Sequence, residues 1–281
     1  MACWIIERSD LMYKLLAIDC DGTLLNDNKE IDAKTVEALK KVKDRGLKIV
    51  LATSKSFFAV KKYLNELDLI DEEQYTIAFN SSYITNNSET NCLEKGVLSK
   101  EAVKKIIDYG RKFDLYMFLY EKDRIISSKP CEAYTSKNKH IPFDIISFDE
   151  LNIDEIDIYK IIIHSSNFDE VKRAKDGIDE SFNEFCSYSS SNQGNVEFVT
   201  PNRSKEHGLS ILSKFLNIEP SEMIGFGDNE NDLGMFEYVG YGVAMGNAID
   251  ELKQKAQYVT SSNNESGIAI AIEKMIEKGI I

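Results

Sequence analysis

The chain has 281 residues, 43% hydrophobic and 29% charged, enough apolar material for a sizeable core in one or two domains. Its formal net charge of −13 argues against nucleic acid as the main partner, but not against small anions, because a local cation and a few lysines outweigh the global field. Five cysteines (Cys3, Cys20, Cys92, Cys131, Cys186) without a CxxC pair argue against a disulfide framework or a zinc cluster. Three scattered histidines (His140, His164, His207) leave little for a His-based triad, and no apolar run approaches the roughly 18 residues of a membrane span.

The opening MACWIIERSDLMYK is too weakly apolar for a signal peptide, and residues 1–12 are expected to be an extension outside the fold. Leu15–Ile18 is an apolar run of one buried strand's length, and it ends in Asp19-Cys20-Asp21-Gly22-Thr23. Asp32 is placed to cap a helix reaching about Arg45, with Gly46 as its stop. A second buried strand over 47–52 ends in Thr53-Ser54-Lys55-Ser56, a helix follows over 56–67, and Thr76–Phe79 reads as a third strand. Strand–helix–strand–helix–strand with apolar strands implies a parallel sheet with right-handed crossovers.

The rhythm changes after residue 83. Helices are expected over Val103–Lys112 and Asp169–Asp179, a hairpin over Leu115–Tyr120 and Arg124–Ser127, an apolar strand over Ile156–His164, and a strand pair over Phe182–Ser189 and Asn195–Val199. This is the pattern of an α+β unit inserted into the parallel domain. After Pro201 the first rhythm returns, with a helix over Ser204–Leu216, a strand over Met223–Phe226 that ends in Gly227-Asp228-Asn229-Glu230-Asn231-Asp232, a further strand at Tyr241–Met245, and helices over Ile249–Lys255 and Ser266–Lys278. The domain reading is therefore a core of 13–83 and 197–281 carrying a cap of 84–196.

Two carboxylates two residues apart at a strand end repel each other, and a divalent cation with its preference for oxygen ligands resolves the conflict. Taken alone, DCDG reads equally well as a turn. Three other signals stand with it at strand or helix ends: Thr53/Ser54, Lys205, and Asp228/Asn231/Asp232. In a parallel sheet the strand C-termini share one edge, so these groups can converge. Carboxylates that hold Mg²⁺, with a hydroxyl, backbone amides and a lysine that hold a dianion, make a phosphoryl-transfer site.

DCDGTLL, LATSK, RSK and GDNENDLGMF resemble the four motifs of the haloacid dehalogenase (HAD) superfamily, and the ending VAMGNAIDELKQKAQYVTSSNNESGIA resembles its Cof-like phosphatases with a type IIB cap. The resemblance covers nearly all of residues 13–278. It implies an α/β fold, a Rossmann-like parallel-sheet core with an inserted α+β cap, and an Mg²⁺-dependent phosphatase acting on small phosphate monoesters, sugar phosphates first, in the bacterial cytoplasm. Position by position, it implies Asp19 as the nucleophile that becomes an aspartyl-phosphate and Asp21 as the acid and then the base. It gives Thr53 and the Ser54 amide as holders of the phosphoryl oxygens, and Lys205 as the neutralising cation. Asp228 ligates the metal with the Asp19 side chain and the Asp21 carbonyl, and Asn231 and Asp232 sit at or just behind the metal and the lysine. A small phosphorylated metabolite is the expected partner, with no nucleic acid and no membrane.

The chain departs from the family pattern at three places: Thr53-Ser54-Lys55 replaces Thr-Gly-Arg, Asn80-Ser81 replaces Asn-Gly, and Lys205-Glu206 replaces Lys-Gly. These leave the core chemistry and weaken transfer of any one relative's substrate; a lysine makes no bidentate fork. A phosphomutase would use the same Asp19 chemistry, and a non-catalytic phosphosugar sensor would be expected to lack Asp19 or Asp21. Elsewhere, Cys20 is expected as a small buried hydrophobe, Lys160 as a strand-edge lysine, 187–195 as a hairpin loop, and Phe57, Phe58, Tyr116 and Phe118 as core residues.

Overall fold

Four consecutive apolar residues with no room for a polar face make strand β1 (Leu15–Ile18), and every one of them is fully buried. The computed structural model describes residues 13–136, 141–189 and 194–281. The expected extension over 1–12, His140 and most of the turn after Ser189 lie outside the described residues. In chain order β1 is followed by α1 (Ala33–Asp44), β2 (Lys48–Ala52), α2 (Phe57–Glu66), β3 (Tyr75–Ala78), β4 (Tyr83–Asn86), β5 (Cys92–Lys95), α3 (Lys100–Arg111), β6 (Tyr116–Tyr120), β7 (Ile125–Ser127), α4 (Glu132–Thr135) and β8 (Phe143–Ile145). Then come β9 (Lys160–His164), α5 (Phe168–Asp176), β10 (Ser187–Ser189), β11 (Asn195–Val199), α6 (Lys205–Leu216), β12 (Met223–Gly227), α7 (Leu233–Tyr238), β13 (Tyr241–Ala244), α8 (Asp250–Lys255), β14 (Tyr258–Val259) and α9 (Gly267–Glu277).

The chain divides into two units. The first holds the described residues up to Ser54, Lys62–Leu93 and Ser204–Ile281; the second holds Lys55–Lys61 and Glu94–Arg203. The divisions at 93/94 and 203/204 fall later in the sequence than the expected 83/84 and 196/197, because β4 and β5 belong to the first unit's sheet and β11 to the second's, and Lys55–Lys61, expected in the core, groups with the second unit.

The first unit is built on an eight-stranded sheet in the order β14-β13-β12-β1-β2-β3-β4-β5. It is parallel from β14 through β3, and β4 runs antiparallel to β3. Leu15, Ala17, Val50 and Ile77 pack on one face against Leu209 and Leu212 of α6 and Met235 and Phe236 of α7. Asp32 caps α1 by accepting the Lys34 and Thr35 amides at 3.0 and 3.1 Å, a contribution of about 1 kcal/mol. Gly46, at φ +88°, ends that helix in the left-handed conformation that favours glycine. The expected α/β parallel fold is present, with β1 between β2 and β12 at its centre. That placement matters for function, because the chain leaves β1, β2 and β12 at the same edge.

The second unit is a six-stranded sheet in the order β10-β11-β9-β6-β7-β8, antiparallel except for the β7–β8 pair. Met117, Leu119, Ile161, Ile163, Val196 and Phe198 alternate onto one face and pack with Val103, Ile106 and Val171 of α3 and α5. Two expectations change here. Phe182 closes a short 3-10 turn and is buried beside Tyr109 and Phe198, so the strand expected from 182 begins only at Ser187. Lys160 is not at an edge: it opens β9, a central strand, is buried, and pairs with the equally buried Glu197 at 3.3 Å. Cys20, Phe57 and Phe118 are buried as expected, while Phe58 and Tyr116 are half-buried. Among the described residues, no helix is long and apolar enough to cross a membrane.

Candidate active site

The register of the parallel sheet sets the site. Ile18 pairs with Leu51 on one side and Phe226 on the other, so Asp19 leaves β1 beside the ends of β2 and β12. The Asp19 amide still donates to Phe226 O at 3.0 Å, which ties the first turn of the loop to β12. Thr53, one residue beyond β2, is buried; its amide donates to Ile77 O at 2.8 Å and its carbonyl accepts the Asn80 amide at 2.9 Å. Ser54 and Lys55 are half-buried.

Lys205 arrives from α6, where it is the first residue after the Ser204 cap. Its ammonium is fully buried, 2.5 Å from Asp19 Oδ1 and 2.6 Å from Asp232 Oδ1. The other oxygen of Asp232 accepts the Asp228 and Asn229 amides at 2.9 and 3.1 Å, so this buried carboxylate holds both the lysine and the backbone of the loop after β12. Gly227 is required in that loop, because a Cβ there would lie 2.6 Å from the Asp232 carboxyl carbon. Asp228 accepts the Thr23 hydroxyl at 2.7 Å, and Gly22, at φ +80°, leaves the space that the Asp228 carboxylate fills. Asn247 donates to Gly22 O at 2.8 Å and fixes the same loop from the far end of the chain.

Asp19, Asp228 and Asp232 each offer an oxygen, all within 4.8 Å of one another. Three carboxylates around one buried ammonium leave excess negative charge in a site of low dielectric, which a metal cation would neutralise. These residues therefore fit a hard divalent cation. The electrostatics carry the same imbalance. Burial pushes the Asp19 carboxyl up, against the pull of Lys205 and with the repulsion of Asp232 and Asp228. Burial also raises Asp228, to about 6, although the Thr23 hydrogen bond favours its charged form. Burial disfavours the Lys205 ammonium, but Asp19 and Asp232 outweigh it and hold the group protonated above its ordinary range.

Asp21 lies in a different setting. Its side chain is 43% exposed and takes the Lys29 ammonium at 2.9 Å. Asn231 is exposed in the short 3-10 turn before α7 and is not one of the three clustered carboxylates. The structure thus brings Asp19, Lys205, Asp228 and Asp232 together, with Thr53 at the neighbouring strand end. Thr23 and Asn247 lay inside quoted motifs without an assigned role, whereas nothing in the sequence marked Lys29. Glu206, in place of the usual glycine, lays its carboxylate over Gly234, where a Cβ would collide with it.

Comparison with known proteins places nearly the whole chain in one family. A family model described as haloacid dehalogenase-like hydrolase matches residues 16–272. The chain is 35% identical over 271 residues to the putative phosphatase YxeH of Bacillus subtilis, covering 94% of this chain and 99% of the relative. It is 30% identical over 292 residues to the 5-amino-6-(5-phospho-D-ribitylamino)uracil phosphatase YwtE of the same organism, covering 94% and 98%. The solved structure of the HAD subclass IIB sugar phosphatase BT4131 superposes with a TM-score of 0.77 at 26% identity, covering 95% of this chain and all of that one.

Proposed function

The chain belongs to the haloacid dehalogenase-like hydrolases and is a phosphatase of that superfamily; from that premise we propose that it hydrolyses small phosphate monoesters with Mg²⁺ through a phosphorylated Asp19. The observation that carries the reading is the buried Lys205 ammonium shared between Asp19 and Asp232, with Asp228 beside them. Burying Asp19 and Asp232 on one lysine, with the half-buried Asp228 beside them, costs several kcal/mol, roughly. A site that neutralises a phosphoryl dianion and its metal accounts for it.

In the first step an Asp19 oxygen attacks phosphorus. The ester P–O bond breaks, its electron pair passes to the leaving oxygen, and the Asp21 carboxyl gives that oxygen its proton. In the second step a water oxygen attacks the same phosphorus, its proton goes to the Asp21 carboxylate, and the bond pair returns to Asp19. Lys205 keeps the attacking Asp19 oxygen oriented and offsets charge on the phosphoryl oxygens. Thr53 and the Ser54 amide hold those oxygens. Asp19, Asp228 and the Asp21 carbonyl would hold Mg²⁺, with Asp232 and Asn231 at or behind them. The ion supplies charge neutralisation of the phosphoryl group when bound.

Sugar and polyol phosphates are the favoured substrates. The names of two relatives, a ribityl phosphate hydrolase and a sugar phosphatase, both specify a phosphate on a polyhydroxylated alcohol. The free thiols of Cys131 and Cys186 accord with a reducing cytoplasmic setting. The test is phosphate release from a panel containing glucose 6-phosphate, ribose 5-phosphate, ribitol 5-phosphate, flavin mononucleotide, pyridoxal phosphate and p-nitrophenyl phosphate. Release is expected to need Mg²⁺, to stop with EDTA and to vanish in Asp19→Asn. No release from any member, by a folded protein that binds Mg²⁺, would overturn the reading.

A further inference from the structure

Lys29 sits in a short loop whose backbone is pinned from several directions. The Asn26 side-chain oxygen accepts the amides of Asn28 at 2.9 Å and Glu30 at 3.0 Å, and the Asn26 amide donates to Glu30 O at 3.0 Å. The Lys29 amide donates to Asn26 O at 2.9 Å, and the Tyr63 hydroxyl, from α2, donates to Lys29 O at 3.1 Å. In this frame Lys29 takes φ +63°, a left-handed conformation that costs a residue with a Cβ about 1–2 kcal/mol. Glycine is the default residue for such a position. The side chain found instead is 57% exposed and ends 2.9 Å from Asp21 Oδ1. An exposed ion pair returns at most about 1 kcal/mol, so stability does not explain a lysine here.

We propose, resting on the reading of the site above, that Lys29 is a positioning residue for the proton transfer at Asp21. As the ester bond breaks, phosphorus bonds to Asp19, the electron pair stays on the leaving oxygen and the Asp21 proton moves to that oxygen. Asp21 becomes negative in that step, and the Lys29 ammonium already lies where the new charge appears. It also holds one oxygen of this half-exposed carboxylate. The gain depends on the leaving group. A sugar alkoxide needs the proton, and a nitrophenolate leaves without it.

The test compares kcat/KM, which reports steps only through departure of the leaving group, for the best sugar phosphate of the panel and for p-nitrophenyl phosphate. Lys29→Met is expected to lower the sugar-to-aryl ratio about tenfold or more, and Lys29→Arg to return it to within about threefold of wild type. Both variants are expected to melt with the wild type, because the replaced side chain is exposed. An unchanged ratio in Lys29→Met, with wild-type activity on both esters, would overturn the role of Lys29 and leave the phosphatase reading standing. Equal losses on the two esters would do the same. A wild-type protein inactive on both would overturn the phosphatase reading, and the Lys29 proposal with it.

Discussion

Asp19 and Asp21 are separated by one residue, and the chain surrounds them in opposite ways. Asp19 is closed in, against a lysine and a carboxylate that come from the last third of the sequence. Asp21 is half open and takes its cation from the same loop, eight positions on. On the proposed mechanism, the difference teaches how one short motif can supply two chemistries. A nucleophile needs a fixed direction and a neutralised charge, and both come from rigid elements, β12 and the start of α6. A group that gives and takes a proton needs access to the leaving oxygen and to water, and a half-exposed loop position provides it.

The strongest way to break this comparison is to remove the proposed nucleophile. Asp19→Asn is expected to reduce turnover about 10⁴-fold or more, while Asp21→Asn keeps a residual rate on aryl phosphates; steady-state assays on both ester types read the difference. If Asp19→Asn retained half of the wild-type rate, Asp19 would not be the nucleophile.

Next in size is Lys205→Met. It leaves Asp19 and Asp232 buried without their shared cation, and is expected to cost about 3 kcal/mol in urea denaturation along with most of the activity. By contrast, Lys29→Met is expected to change stability by less than about 1 kcal/mol. Equal destabilisation by the two substitutions would erase the distinction between the sites.

A third outcome concerns pH. Asp19 and Asp228 are raised by burial, Asp228 to about 6. A carboxyl raised in the folded state binds its proton more tightly there than in the unfolded chain. Its contribution is therefore present at low pH and lost as pH rises through the folded value. Asp27, Asp32 and Glu222 are lowered, chiefly by hydrogen bonds, and their contributions are lost only on acidification below the usual carboxylate range. Between about pH 5 and pH 8, the melting temperature in EDTA is expected to fall, and Mg²⁺ to remove most of the fall. A melting temperature that rose across that window in EDTA would contradict the electrostatics described for the buried cluster.

What the sequence disclosed follows the same division. Asp19, Thr53, Lys205 and Asp228 were legible because each follows an apolar run or opens a helix, and a parallel sheet brings such ends to one edge. The cap of α1 at Asp32 and its stop at Gly46 were legible because both act locally. What failed depended on distant partners. Lys160 sits in an apolar run that reads as an edge, and Glu197 on the adjacent β11, with the Tyr120 ring under the ammonium, makes its burial tolerable. β5 has a polar, largely exposed composition that resembles a loop, and β14 is two residues long. Phe182 is apolar enough for a strand, but its ring is taken up by Tyr109 and Phe198 from other elements. Lys29 carries no pattern at all; its meaning comes from a loop that folds back onto Asp21.

The most direct test of the account is to trap the proposed covalent intermediate. The wild-type enzyme, mixed with its best substrate and Mg²⁺, would be quenched in acid within one turnover, reduced with borohydride and digested for mass spectrometry. An aspartyl-phosphate is reduced to homoserine, so the account expects homoserine at position 19 and unmodified aspartate at position 21. Phosphate release at the normal rate with aspartate intact at position 19, or homoserine at position 21 instead, would contradict it.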